Sequence, residues 1–543
     1  MYFETTLTDE RIKEYTDKGY WGTNTLLDHF EACLKLYPDK IAVTDYQGKR
    51  LTYGQIDILS SRLAHSLKEM GVHPGEVVSV QMPNWADFTI IFVALLRVGA
   101  VINPILTNFK EKELEHVLNK CHSSVLFIPD EFRNVNYPEM ITKVWPRCQN
   151  LKNVIVVGNT QVTGMHQLES LITEGRPSEP INKSVSKAND VVVILFTSGT
   201  ESRPKGVMHT HNTIIFGERV LSRVLDLSET DAILMPSTVA HATGCMHAVC
   251  LPIINGGKSV LLDIFTPEKA LELIQREGCT FGMGATPFLH DMLSHGDLRK
   301  YDISSLRFFL CGGAPIPRKL VQDAFAAGFK VLAVYGATES PPHTTNRLDD
   351  DSAKIFTTDG LPLPGIEVRI VDAYRNPVPQ GQEGEEASRG PNVCVGYLDE
   401  PEFTAKSFDK EGWYYSGDLC VMDLEGYIKI VGRKKDVIIR GGENISCREV
   451  EDFLYSHPDV EEAAVVAMPD ERLGERACAF MVLNSQKAIA LSDIQKYLNE
   501  HGVAKYKWPE AIVLIDNLPR TASGKIQKFV LREEIKNRNI KVQ

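Results

Sequence analysis

Apolar, β-branched runs alternate with helical patterns through the first four hundred residues. KIAVTDY (40–46) and EVVSVQM (76–82) read as strands, and LSSRLAHSLKEM (59–70) and FTIIFVALLRVGA (88–100) as helices. The rhythm returns with VVVILF (191–196), SVLLDIF (259–265), LRFFLCGG (306–313) and VLAVYG (331–336), each ending in small or polar residues. Apolar strands separated by helices predict an α/β fold of parallel sheets covered by helices, with ligands gathering at the strand ends. From about Glu383 the texture changes to short strands broken by Gly, Asp and Asn turns, GEEASRG, GWYYSGDL and GYIKIVGR, which predict a small β-rich subdomain. Beyond GRKKD (432–436) come a helix (REVEDFLYSHP), a strand (EEAAVVAMP), a helix (SDIQKYLNEHG) and a strand (AIVLID). The expected division is a large N-terminal domain over 1–434 and a small α+β C-terminal domain over 435–543. Lys435 then falls in a charged connector that reads either as a hinge or as a solvated turn.

Composition narrows the class. A chain of 543 residues, 43% of them hydrophobic, can bury large cores. Its net charge of −12, without a block of like charges, speaks against a nucleic-acid or anionic-membrane partner. The longest apolar runs, such as 88–96, fall short of the ~18 residues that cross a bilayer, so no integral membrane association is expected. The opening residues, MYFETTLTDERIKEY, carry no apolar core with a cleavage site, and the eleven cysteines form neither a C-x-x-C pair nor a Cys/His cluster. Both features fit a cytoplasmic protein with reduced, buried thiols.

VVVILFTSGTESRPKG (191–206) is the first segment with chemistry. A buried strand runs into Thr197, Ser198, Gly199 and Thr200, and then Lys205-Gly206. Gly199 admits backbone amides to an anion, the hydroxyls donate hydrogen bonds and Lys205 supplies a point charge, a combination suited to polyphosphate. The order is wrong for a P-loop, and no G-x-G-x-x-G follows any strand.

This loop resembles the signature of the adenylate-forming superfamily, which comprises acyl-CoA synthetases, peptide-synthetase adenylation domains and luciferases. Gly312-Gly313-Ala314-Pro315, YGATES (335–340), YYSGDL (414–419), GRKKD (432–436), GGENIS (441–446) and PRTASGKIQK (519–528) follow in the order and spacing of that superfamily. LTYGQI (51–56) and RVGAVINP (97–104) extend the likeness over nearly the whole chain. LDIFTP, RFFLCGG, EEASRGPNV and GRKKDVIIRGGENIS look most like bacterial short- to medium-chain fatty acyl-CoA synthetases, with cyclohexanecarboxylate-type ligases close behind.

The resemblance implies a two-step ligase: a carboxylic acid attacks the α-phosphorus of ATP, pyrophosphate leaves, and CoA displaces AMP from the acyl-adenylate. The first step brings an anion to a polyanion, so cations and aligned donors carry it. By likeness, Thr338 donates to the α-phosphate and Glu339 holds Mg2+ through a hard carboxylate oxygen. Taken alone, Glu339 also reads as a helix-start carboxylate. Tyr335, Gly336, Ala337 and the 312–315 turn are implied in the adenine slot, and Asp418 and Arg433 at the ribose. His241 matches a gate between the acyl and thiol channels, although a lone histidine is also commonly structural. Lys525 bridges the acyl carboxylate and the α-phosphate. CoA sulfur needs the place that Lys525 fills, so the family rotates its C-terminal domain about the residue matched here by Lys435. Gly441 and Gly442 then line a pantetheine tunnel, or else form an ordinary glycine-rich loop. ATP and CoA are cosubstrates in this reading, and the acid is a short- to medium-chain fatty acid, with a cyclic or aromatic acid, or a carrier-protein thiol as acceptor, as alternatives. Candidate walls for the acid are 237–245, 284–290 and 335–345.

Overall fold

The computed structural model describes residues 3–173, 185–197, 204–312, 316–441, 443–470, 472–484, 489–521 and 525–538. The alternating pattern becomes two large sheets. One has nine strands, with Ile41–Asp45, Lys258–Leu261, Ala232–Met235, Phe281–Gly284, Phe308–Cys311 and Lys330–Ala337 as a parallel run. The other has seven, with Val191–Thr197, Val101–Pro104, Val77–Val80, Val125–Pro129, Asn153–Val157 and His166–Gln167 parallel in that spatial order. The sheets are mixed rather than purely parallel, since Arg50–Thr52, Ser340–Thr345, Leu361–Pro362 and Lys205–Thr210 add antiparallel edges.

The helix Asp87–Val98 shows why the two sheets hold together. It is apolar all round rather than striped, and every residue in it is buried, as a helix between two layers requires. Phe88, Ile91 and Phe92 share one core with Val78 and Ile102 of the smaller sheet and Ile233, Phe281 and Phe308 of the larger. Its one basic residue, Arg97, is wholly buried and ion-paired to Asp57 at 2.5 Å and Glu31 at 3.4 Å. A buried cation without those carboxylates would be strongly destabilising.

The β-rich subdomain is a four-stranded antiparallel sheet, Glu367–Val371, Gly384–Arg389, Tyr414–Met422 and Ile428–Arg433. It begins some sixteen residues before the expected texture change at Glu383, since Glu367–Val371, set between the turn residues Pro364-Gly365 and Asn376-Pro377, already belongs to it. The C-terminal unit has its own five-stranded sheet and separate cores against Cys447–Tyr455, Leu491–Glu500 and Lys528–Arg538. A single 3-10 turn, Lys434–Asp436, joins the two sheets. Lys434 bonds Glu385 of the subdomain at 2.6 Å, whereas Asp436 pairs with Arg532 and accepts from Cys447 Sγ at 2.7 Å on the other side. All eleven cysteines are buried free thiols. No helix among the described residues is long and apolar enough to cross a membrane.

Candidate active site

Adjacent parallel strands of the large sheet, Phe281–Gly284, Phe308–Cys311 and Lys330–Ala337, end at one place. Gly284, Gly312, Gly336, Ala337 and Thr338 line a cavity there of about 80 Å3. Strand ends in an open α/β sheet expose unpaired amides and leave a crevice, which is why ligands collect there. His241, on the loop after Ala232–Met235, forms another wall. That loop is tied down by the buried Asn84, whose amide donates to the carbonyls of Met235, Ser237 and Leu262 and accepts from Val239 N–H at 2.8 Å.

Lys525 completes the cavity from the C-terminal unit. The residue keeps solvent contact, but crowding around the ammonium and the nearby Arg433 lower its pKa, against the opposing pull of Asp418 and Glu339. Lys525 in turn pushes against protonation of His241. Burial, then Lys525, then His247 take that imidazole down to about 3, so it is neutral at pH 7.

The segment 335–340 forms the tip of an antiparallel hairpin, with Ala337 paired to Ser340 across Thr338 and Glu339. Glu339 is therefore a turn residue, and the alternative of a helix-start carboxylate is set aside. His209, whose pKa burial takes down to about 4, is neutral and donates from Nε2 to the Thr338 carbonyl at 2.7 Å. Tyr397 donates its hydroxyl to Glu339 Oε1 at 2.7 Å. These two partners fix the turn from opposite sides, and nothing in the motif spacing pointed to either of them. His211 accepts from Leu26 N–H at 3.1 Å.

Asp418 is 5% exposed, accepts from the Tyr335 hydroxyl at 2.6 Å and pairs with Arg433 Nε at 2.7 Å. The pair sits on adjacent antiparallel strands in direct register, Asp418 opposite Arg433. Asp418 is the main cause of the raised Arg433 pKa, while burial first and Asp418 second raise that of Tyr335. Tyr335 meets His343 edge-on at 4.6 Å. The strands on either side of the 198–203 segment are antiparallel, with Thr197 opposite Lys205, and Lys205 lies over the Phe403 ring at 4.2 Å. Ser198, Gly199, Thr200, Gly313, Ala314, Pro315 and Gly442 lie outside the described residues. Gly441 is exposed on the C-terminal unit and is not among the residues lining the cavity. Lys435 lies in the 3-10 turn between the sheets.

Residues 30–398 match the profile of the AMP-binding enzyme family, and residues 449–525 that of the AMP-binding enzyme C-terminal domain. This chain belongs to the AMP-binding enzymes. The medium-chain fatty-acid–CoA ligase of Escherichia coli (strain K12) is 45% identical over 535 residues, covering 98% of this chain and 94% of the relative. The 2,3-dihydroxybenzoate-AMP ligase of Bacillus subtilis (strain 168) is 31% identical over 97% of this chain and 96% of its own length. Among solved structures, the anthranilate CoA ligase AuaEII with anthranoyl-AMP superposes with a TM-score of 0.88 at 26% identity, covering 95% of this chain and 98% of that one. ATP-bound MatB from Rhodopseudomonas palustris gives 0.85 at 27%, covering 95% and 100%. The enzyme is accordingly an acyl-CoA synthetase that uses ATP and CoA, an acid–thiol ligase of the adenylate-forming type.

The residues fit a divalent cation as this family uses it. Glu339 Oε1 is engaged by Tyr397, and no hydrogen bond among the described residues is assigned to Oε2. No cluster of three or more His, Cys, Asp or Glu able to hold a metal occurs among the described residues, so Mg2+ would rely on Glu339 together with substrate phosphate oxygens.

Proposed function

We propose that the enzyme activates a short- to medium-chain fatty acid in the cytoplasm, with the 45% identical Escherichia coli relative supporting the chain length. The observation that carries the residue roles is that Lys525 and Thr338 line one cavity at the strand ends, with Arg433, Asp418 and Glu339 near enough to act on the Lys525 ammonium. Lys525 offsets the charge clash as the carboxylate approaches the α-phosphate, and Thr338 donates to that phosphate. Asp418 and Arg433 offer an acceptor and a forked donor to the ribose hydroxyls, beside Tyr335 at the adenine. Glu339 holds Mg2+, which when bound neutralises phosphate charge. His241, neutral, divides the acid pocket from the thiol path without adding charge.

Lys525 facing the cavity is the adenylating arrangement in this reading. CoA attack then needs the C-terminal unit (435–543) to turn against 1–434. The anchoring of Lys434 to one sheet and of Asp436 to the other supports Lys435 as the pivot. Acid-dependent consumption of ATP is expected to release pyrophosphate and leave the acyl-adenylate, and addition of CoA is then expected to release AMP and acyl-CoA in equal amounts. Stoichiometric ADP would overturn the mechanism.

Gly441 has φ of +58°, and a Cβ there would approach Leu473 Cδ2 to 3.2 Å. Gly441→Leu is expected to slow thioester formation from supplied acyl-adenylate far more than adenylation, because the side chain obstructs pantetheine only after the turn. Gly441→Ala carries the same left-handed backbone cost with less bulk and separates strain from obstruction. Equal loss in both half-reactions for both variants would remove Gly441 from the thiol path.

A further inference from the structure

The cavity wall holds a buried hydrogen-bonded pair that the adenylation chemistry does not use. His247 lies on the π-helical segment Thr243–Cys250, lines the cavity, and bonds through Nδ1 to Glu218 Oε2 at 3.0 Å. The two side chains are 4% and 1% exposed. Glu218 comes from the helix His211–Val224, which reaches this depth because Gly217 lets it close on the strand Ser340–Thr345. A Cβ at 217 would stand 2.9 Å from the Pro341 carbonyl oxygen. Pro341 and Pro342 of that strand line the same cavity, as do Met283 and Val334. Among these apolar residues stands a buried imidazole whose orientation is set from behind by a carboxylate.

We propose that His247 and Glu218 recognise a hydroxyl group on the acyl chain, so that the preferred acid is a hydroxylated fatty acid rather than the plain one. The inference rests on the reading of this cavity as the acid site of an acyl-CoA synthetase. Nδ1–H donates to the Glu218 carboxylate, which leaves Nε2 as the polar atom of the ring for the cavity, and no hydrogen bond of Nε2 to a described residue is assigned. A hydroxyl donates to Nε2 of the neutral ring and accepts from Nε2–H of the imidazolium, so it satisfies the pair in either charge state. A methylene at the same place does neither and displaces any water that would. Sites that hydrogen-bond a substrate hydroxyl discriminate far more steeply against its absence than apolar walls do against one carbon. His247 is the specificity residue in this proposal, and Glu218 the positioning residue behind it.

The test is a positional series, octanoate and its hydroxyoctanoates from the 2- to the 8-position, assayed for acid-dependent pyrophosphate release by the full-length enzyme. One position is expected to exceed octanoate in kcat/KM by at least about ten-fold. Glu218→Gln keeps volume and the bond to Nδ1 but removes the charge, and is expected to shrink that preference. His247→Leu is expected to abolish it, bringing the best isomer and octanoate to similar kcat/KM. If octanoate is activated and no hydroxylated isomer surpasses it, the proposal fails while the ligase reading stands. If the best isomer keeps its advantage in both variants, the hydroxyl is recognised elsewhere and the proposal also fails. If no acid in the series releases pyrophosphate, the underlying reading of the cavity fails first. The wild-type series decides the matter even if His247→Leu does not fold.

Discussion

Lys525→Ala is expected to lower the rate of acyl-adenylate formation by roughly two to three powers of ten. A well-placed charge removed from where negative charge develops commonly costs ~3–4 kcal/mol of transition-state stabilisation, and the rate follows from that. The lysine stands where the cavity meets Asp418, Glu339 and Arg433, and its ammonium is the only basic side-chain group among the described cavity-lining residues other than the histidines. Folding is expected to be nearly unchanged, since the residue stays exposed and supports little packing. Given prepared acyl-adenylate and CoA, the variant is expected to form acyl-CoA at close to the wild-type rate, because in the proposed mechanism Lys525 leaves before the thiol arrives. Single-turnover assays of the two half-reactions make the comparison. Normal adenylation, or equal collapse of both halves, would take the role away from Lys525. A pH profile gives a second check. The lowered pKa means that the free enzyme loses this positive charge at a pH below that of a solvated lysine. The alkaline fall of kcat/KM for adenylation is therefore expected early, and Lys525→Arg, whose guanidinium stays protonated, should move it upward.

Asp418→Ala is the second large effect. The carboxylate is buried, and both the Tyr335 hydroxyl and the Arg433 guanidinium converge on it. Its removal takes away the proposed ribose acceptor and releases both partners from the positions that shape the nucleotide slot. KM for ATP is expected to rise on the order of ten- to a hundred-fold, the worth of one or two charge-assisted hydrogen bonds, with a smaller fall in kcat. Arg433 is 46% exposed, so water screens the cation left behind and the loss of stability is expected to be about 1–2 kcal/mol, measurable by denaturant unfolding. Asp418→Asn retains an acceptor for Tyr335 and is expected to fall between the two. An unchanged KM for ATP in both variants would place the ribose elsewhere.

Much of the architecture was legible because burial leaves a periodic trace in the chain. The apolar stretch 88–96 read as part of a helix, and it lies in Asp87–Val98, buried along its whole length and sharing one core with both sheets. The apolar runs 306–313 and 331–336 implied parallel strands ending in small residues, and Gly312 and Gly336 at those ends do line the cavity. The motif residues Lys525, Thr338, Glu339, Asp418 and Arg433 were likewise named by local pattern, because each belongs to a short segment with its own signature.

What orients those residues was not local. His209 reaches the Thr338 carbonyl across 129 residues of chain, Tyr397 reaches Glu339 across 58, and Glu218 meets His247 across 29. No periodicity records such pairings, since it reports which face of an element is buried and not what it is buried against. A lone histidine or tyrosine therefore reads as ordinary core until the chain crossings are known. The antiparallel edge strands and the hairpin at Thr338-Glu339 were settled in the same way, by which strand ends lay beside an unfilled ladder of N–H and C=O groups. The chain alone determined the chemistry it can perform, through residue types held in short segments. The tertiary structure decided which neutral and charged partners hold that chemistry in place, because those partners act through space over a few ångströms and are indifferent to distance along the sequence.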